Sequence, residues 1–555
     1  MDRTSSTNAE YDYNKSMVRR MRKKLSKIKE SMRHDNDKKL LTLLADNFID
    51  VNADIFIEQG SDRSLLTIAC TMSAARCVKV LLDNGADINK IPVSKSYSID
   101  RDEFRSPFSR TCASGNAELL QILIDRGVKL DDSTLFIGFD CIERSALQPD
   151  QRQEIAAILV QYITNISYKE RGCTFLHRVC SIGGVDNAKT VLERGVDRDA
   201  MSDAKYLCDR RDALGVAAIN GHLDIAELLL EWDKGNPIQI SRVNVAMVVA
   251  AIHGKLEVVQ CLTEYGGNGQ SEALVEALRC ARPFELAEYL LDHGAEASYV
   301  TPHLDTPLLA LVSNTFTGHE VKLQIARLLL ARGADRDAVT RRDKDVIVKA
   351  AEHGSPDLLQ LLLGHNQGQP ITINRLNNAL FFSLGRSKGV TRCLLDHGAE
   401  VNVNDTVAHT PLLLLCRDFS VDHMTSPYFA DYLPTIQLLI ERGADMSRVS
   451  PVSGNTALLY ACAYSPSIGL AVSTVLLEHG ADVNQGNAKT GVTPLMKAAV
   501  AKDLAMVKLL LEHGADVMQV NNVGQTVLDL MGDKPGYAMI VELCFEYMDN
   551  KPVLK

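Results

Sequence analysis

Two short apolar runs, a polar turn between them and a glycine after the second recur along this chain. Residues 491–526 show the unit most plainly. Thr493 offers a hydroxyl to cap a helix, Pro494 sits in the first turn where no amide N–H is lost, and LMKAAVA reads as a short helix rich in small residues. From Leu504 to His513, Met506, Val507, Leu510 and Leu511 fall at helical spacing, which predicts a second, amphipathic helix closed by Gly514 as a left-handed cap. Ala515-Asp516-Val517 then leaves as a turn, and Thr526 restarts the pattern 33 residues after Thr493.

The end of the second helix is the easiest piece to follow. LLDNGADIN from Leu81 returns from Leu290, Leu329, Leu394, Leu439, Leu476 and Leu510, with weaker copies from Leu123, Val191, Leu229, Cys261 and Leu362 and degenerate ones from Leu43 and Glu154. The twelve intervals from Gly85 to Gly514 average about 36 residues, a period that implies stacked supersecondary units.

These residues resemble the ankyrin repeat family. The family's opening element appears as Thr306-Pro307-Leu308, Thr410-Pro411-Leu412, Thr493-Pro494-Leu495 and Thr174-Phe175-Leu176-His177, and its middle element as Gly221-His222-Leu223-Asp224. The match recurs in register over roughly residues 36 to 550. It implies an all-α fold, an ankyrin-repeat solenoid of stacked helix-turn-helix units joined by short β-hairpins or turns. The expected division is a basic, partly disordered leader over 1–35, about fourteen repeats over 36–523 and a capping repeat and tail over 524–555. Residues 130–172 and 365–380 lose the Gly-Ala-Asp turn, and only 28 residues separate Gly266 from Gly294, so irregular stacking is expected there.

Three segments lengthen the period: Ile91 to Ser109, Val312 to Lys322 and Arg417 to Pro434. Insertions in a solenoid fall on loops at its faces. The first carries Tyr97, Phe104 and Phe108 and the last Tyr428, Phe429 and Tyr432, in a chain with 5% aromatics. Rigid aromatic anchors are what interfaces favour, which makes these six candidate partner-binding residues; the alternative is that they fold back on their own helices.

Charge is segregated. Lys15 to Lys39 holds eleven basic residues against three acidic ones, in a chain whose net charge is −10. Met17, Met21, Leu25, Ile28 and Met32 line one side of this stretch at helical spacing, so it reads as a basic amphipathic helix. Arg19, Arg20, Arg22, Lys23, Lys24, Lys27 and Lys29 form a candidate import signal. The competing readings are an anionic membrane contact, a calmodulin-like target, or a leader packed on the first repeat. The acidic remainder argues against direct nucleic-acid binding and favours basic partners. No apolar run approaches the 20 or so residues of a transmembrane segment, and the N-terminus lacks the apolar core of a secretory signal. A cytoplasmic address is expected, with the nucleus as the other.

Chemistry-bearing motifs are missing from the sequence. There is no phosphate-binding G-x-x-x-x-G-K-[ST] loop, no G-x-S-x-G elbow and no Cys-x-x-Cys pair, and His319-Glu320 has Leu323 where a zinc helix needs its second His. His293, His397, His479 and His513 each precede the capping glycine, where they complement a helix C-terminus rather than hold metal. Cys70, Cys180, Cys280, Cys416 and Cys462 read as small core residues. No catalytic residue, cofactor, metal or small-molecule substrate is therefore expected.

Ankyrin repeat proteins generally bind other proteins, so the resemblance implies a non-catalytic interaction scaffold or adaptor working through its concave face and hairpin tips. The other implied role is the substrate-recognition subunit of a larger enzyme complex such as a ubiquitin ligase. Against it, the chain is expected to close at Lys555 with no appended catalytic module. The resemblance also makes the turn asparagines Asn89, Asn402 and Asn484 candidate hydroxylation substrates.

Overall fold

The computed structural model describes residues 23–45, 50–52, 64–91, 106–170, 172–202, 211–233, 235–279, 283–339, 345–365, 371–418, 429–463, 466–532 and 536–549. They are helix-rich, and among them the only strands are Lys169–Glu170 and Cys173–Thr174, paired antiparallel with Lys169 opposite Thr174. The chain divides into two compact units, Met1–Gln270 and Ser271–Lys555.

Within each unit the helices alternate between two layers. In the first, inner helices Leu65–Thr71, Pro107–Ser114, Asp132–Arg144, Phe175–Ile182, Ala213–Asn220 and Ile240–Ile252 pack on one another in sequence, and so do the outer helices from Asp37–Leu44 to Leu256–Glu264. The second unit repeats the scheme, with outer helices running from Phe284–Asp292 to Ala538–Asp549. Within a unit, neighbouring helices thus pack on their repeat partners and on their counterparts in the next repeat, the nearest-neighbour pattern of a solenoid.

Local sequence explains the units. Inner helices begin at a side chain that accepts an N3 amide, as in Ser64 to Thr67, Ser106 to Ser109, Thr306 to Leu309 and Thr493 to Met496. Small and branched apolar residues then fill the space between layers; Ala498, Ala499, Val507 and Leu510 are fully buried. The described residues of the basic stretch belong to this architecture. Residues 23–33 are helical, Ile28 and Met32 are fully buried, and the chain turns at Asp35 into Asp37–Leu44. The Asp35 carboxylate accepts the Arg76 and Cys77 amides of the following outer helix, so the boundary expected at residue 35 falls inside a helix-turn-helix.

Forward staples join one repeat to the next at the hairpin base. The Asn52 carboxamide donates to the Gly85 carbonyl at 2.9 Å and accepts the Asp87 amide at 2.7 Å, and Asn402 does the same to Gly443 and Asp445 at 3.0 and 2.8 Å. Where the Gly-Ala-Asp hairpin is missing, the structure replaces it in a consistent way. The inner helix grows to 13 residues at Asp132–Arg144 and Ile240–Ile252 and 11 at Ile373–Ser383, and the staple moves onto its first turns. Asp132 takes the amides of Thr164 and Asn165, Asn244 that of Asn268, Ser271 that of Glu296 and Asn377 that of Glu400. Among the described residues these irregular stretches thus keep the two-helix repeat and a forward staple without the Gly-Ala-Asp turn.

The Val312 to Lys322 segment is shorter as a loop than its sequence suggests. Its last four residues are helical and extend the outer helix to His319–Ala331, leaving only residues 314–318 between the two helices.

Candidate protein-interaction surface

The six aromatic candidates fall in different places. Tyr97, Phe104 and Tyr428 lie outside the described residues, as does the side chain of Phe429, whose backbone starts the short turn Phe429–Asp431. Phe108 is 2% exposed in the first turn of Pro107–Ser114, with its ring edge 3.0 Å from where a Cβ on Gly138 would lie. Tyr432 is 9% exposed, and its hydroxyl donates to the Leu415 carbonyl. Both rings are core groups. The physical reason is register: Ser106-Pro107-Phe108 repeats the Thr-Pro-Leu element, so Phe108 stands where the buried Leu308, Leu412 and Leu495 stand. In the basic stretch, Arg19, Arg20 and Arg22 lie outside the described residues, whereas Lys23, Lys24, Lys27 and Lys29 are on the helix over 23–33.

An aromatic that sequence reasoning did not single out is presented more openly. Phe316 is 79% exposed at the tip of the five-residue loop after Pro307–Ser313. The loop is held from beneath by Asn314, buried, whose Nδ2 donates to the Leu278 carbonyl and the Thr317 hydroxyl, both at 2.8 Å, and whose Oδ1 accepts the Phe316 and Thr317 amides at 2.7 and 3.2 Å. All the hydrogen-bonding capacity of this carboxamide is used to fix the loop. The signal was legible as Asn-Thr-Phe-Thr-Gly inside a lengthened period.

The hairpin tips of the last repeats form a second feature. Successive tips bond directly: the Ala488 amide donates to Gly454 at 2.9 Å, Asn487 Nδ2 to Ser453 at 2.8 Å and the Asn522 amide to Thr490 at 3.0 Å. On this fixed edge Val407 is half-exposed, Val452 63% and Val523 79% exposed. Apolar groups held in water on a preorganised backbone are what a binding partner can cover at low entropic cost.

Reactive chemistry is quiet by comparison. His293, His397, His479 and His513 each place Nδ1 within 2.9 Å of the carbonyl four residues back, which makes Nδ1–H the donor and ties each ring to its helix end. Burial pushes the thiols of Cys70, Cys416 and Cys462 up to about 12 and that of Cys180 higher still, which keeps them protonated. Cys280 lies outside the described residues. Among the described residues no three His, Cys, Asp or Glu side chains gather as metal ligands, and no helix is long and apolar enough to cross a membrane.

The family model for ankyrin repeats, in three copies, matches residues 425–521, the stretch whose hairpin tips are bonded to one another. Three ankyrin repeats thus lie within this stretch. It is 26% identical over 270 residues to the ankyrin repeat and KH domain-containing protein mask-1 of Caenorhabditis elegans, an overlap of 47% of this chain and 10% of that protein. To the ankyrin repeat and KH domain-containing protein CBG24701 of Caenorhabditis briggsae it is 22% identical over 415 residues, 70% of this chain and 14% of that protein. The chain thus spans about a tenth to a seventh of the length of these relatives. The ankyrin turn asparagines all carry backbone bonds: Asn402 and Asn484 reach the next Gly-Ala-Asp turn, and Asn89 accepts the Lys129 amide at 2.8 Å.

Proposed function

We propose that this ankyrin array is a non-catalytic scaffold that holds protein partners along its hairpin tips and helix–helix loops. The observation that carries the reading is the fixed edge with Val407, Val452 and Val523 in solvent; Phe316 on its clamped loop adds an aromatic anchor of the kind interfaces favour. The acidic balance outside the basic stretch favours basic partners and speeds their approach.

A reducing compartment fits the eleven free cysteines among the described residues, ten of them buried. We assign the chain to the cytoplasm. Nuclear entry through Arg19 to Lys29, read as an extended segment, requires the helix over 23–33 to open, because Ile28 and Met32 anchor it.

Affinity purification and mass spectrometry with the full chain and its Val452→Asp/Val523→Asp variant test the scaffold reading. The expected result is loss of a defined subset of partners with the fold intact by circular dichroism. An unchanged partner set overturns it.

A further inference from the structure

A cassette of polar contacts occurs twice, once in each unit. The first copy centres on Arg242, whose guanidinium bonds Asp199 at 2.7 Å and, through Nε, Asp212 at 2.6 Å. In the second, Arg375 bonds Asp337 and Asp345, both at 2.6 Å. Asp212 and Asp345 each also cap the preceding inner helix, accepting the amides of Gly215 at 2.8 Å and Val348 at 2.7 Å. Arg198 and Arg336 complete the copies by donating to the carbonyls of Asn236 and His365.

The sequence P-I-x-I-x-R-x-N-x-A lies at the heart of both, from Pro237 and again from Pro370, 133 residues on. Most of its shared positions have a structural reason. Ile238 and Ile371 precede the N-cap, with buried Val243 and Leu376 at N4, the arrangement of a hydrophobic staple. The arginines close the ionic network, Asn244 and Asn377 make the forward staple, and Ala246 and Ala379 are fully buried.

Ile240 and Ile373 have no such reason. Each is the first residue of an inner helix that no Gly-Ala-Asp turn precedes in the sequence, and each is 53% exposed. In other inner helices the same first position is buried, as at Leu65, Pro107, Phe175, Ala213, Pro307, Val346, Pro411 and Pro494. Branched residues gain nothing in helix propensity at such a site. The two other helices that start without such a turn begin with polar Asp132 and Gln270, as a solvent-facing position should.

We propose that Ile240 and Ile373 are twin docking points for an extended segment of a partner protein that covers the isoleucine with an uncharged apolar side chain. Each copy balances two Arg against two Asp, Arg242 and Arg198 with Asp199 and Asp212, and Arg375 and Arg336 with Asp337 and Asp345, so the site asks for no charge from the occupant. Two copies of one motif make the chain bivalent for one class of segment. The inference rests on the scaffold reading and adds to it where the partner binds and with what chemistry.

A random peptide library displayed on phage, selected on the full chain with counter-selection on the Ile240→Ser/Ile373→Ser variant, tests this. The leading synthetic peptide is then titrated calorimetrically into the wild type, both single variants and the double variant. Because both isoleucines are half in solvent, the variants should keep the wild-type circular dichroism spectrum. The expected result is two equivalent sites in the wild type, one in each single variant and at least about a ten-fold loss of affinity in the double variant. Peptides that bind the double variant as well as the wild type, a charged consensus, or no peptide enriched by the counter-selection each overturn the proposal. If selected peptides are lost instead on Val452→Asp/Val523→Asp, the docking points fail and the scaffold reading stands. If neither variant changes any binding, both fall.

Discussion

Asn484 reaches across to Asp516 in the next repeat: its side-chain oxygen accepts the Asp516 amide at 2.8 Å while its Nδ2 donates to the Gly514 carbonyl at 3.4 Å. One short side chain thereby serves a donor and an acceptor left over where the neighbouring helix ends. The same pairing at Asn52 and Asn402 shows that the turn asparagine is the standard link between hairpin repeats. Each such bond contributes about 0.5–1.5 kcal/mol net, so Asn484→Ala should cost about 1–2 kcal/mol. Repeat arrays couple mainly to nearest neighbours, so the effect should be local. Hydrogen exchange should show the Asp516 amide losing protection while Asp445, held by Asn402, keeps it; equal protection of Asp516 in both proteins would refute the link.

Two glycines separate backbone strain from crowding. Gly514 has φ of +86° and open space where a Cβ would go, so Gly514→Ala should cost about 1–2 kcal/mol from the left-handed conformation alone. Gly491 has φ of +68°, and a Cβ there would lie 2.5 Å from Asn522 Oδ1 and 2.7 Å from the Asn522 amide nitrogen. Gly491→Ala adds a forced shift between two bonded hairpin tips and should cost roughly 2–5 kcal/mol. Urea unfolding followed by circular dichroism should rank Gly491→Ala well below Gly514→Ala; equal midpoints would mean the tips are not in contact.

Much of this fold is written locally. Thr493, Pro494, Met506, Val507, Leu510, Leu511 and Gly514 take the cap, first-turn, core and end positions that their spacing indicates. What spacing does not carry is how a repeat closes without its Gly-Ala-Asp turn, since Arg242, Asn244, Arg375 and Asn377 find partners 23 to 43 residues away. The doubled P-I-x-I-x-R-x-N-x-A was visible in the sequence, yet its meaning depends on those contacts. The candidate site was less legible. Aromatic content drew attention to Phe108 and Tyr432, whose helical register buries them, and away from Phe316, whose exposure depends on four bonds to Asn314.

The ionic clamps should be stabilising in both units. Asp345 is nearly buried, so Arg375→Met leaves its carboxylate with only the helix-cap bond. Breaking a fully buried pair costs about 3–5 kcal/mol, and Arg375, about a fifth in solvent, should cost less, about 1–3 kcal/mol. A double-mutant cycle with Asp337→Asn should give a coupling of about 0.5 kcal/mol or more. Purely additive effects would show that the 2.6 Å contact between Arg375 and Asp337 contributes nothing to stability.

His177 should make the first unit sensitive to acid. Its Nδ1 accepts the Thr174 amide at 3.2 Å and its Nε2–H donates to the Arg211 carbonyl at 3.1 Å, a pattern that needs the neutral ring. Burial holds its pKa below the ordinary 6.5, against the upward pull of the Arg211 carbonyl and Asp212. The unfolded chain takes up a proton near 6.5 and the folded chain only at lower pH, so stability falls as pH drops through that window. The urea midpoint of the wild type should therefore decline between about pH 7 and pH 5, and that of His177→Gln should decline less. A residual slope is expected in the variant because His353 is also held down, chiefly by burial. Identical slopes in the two proteins would show that His177 accepts its proton in the folded repeat as readily as in the unfolded chain.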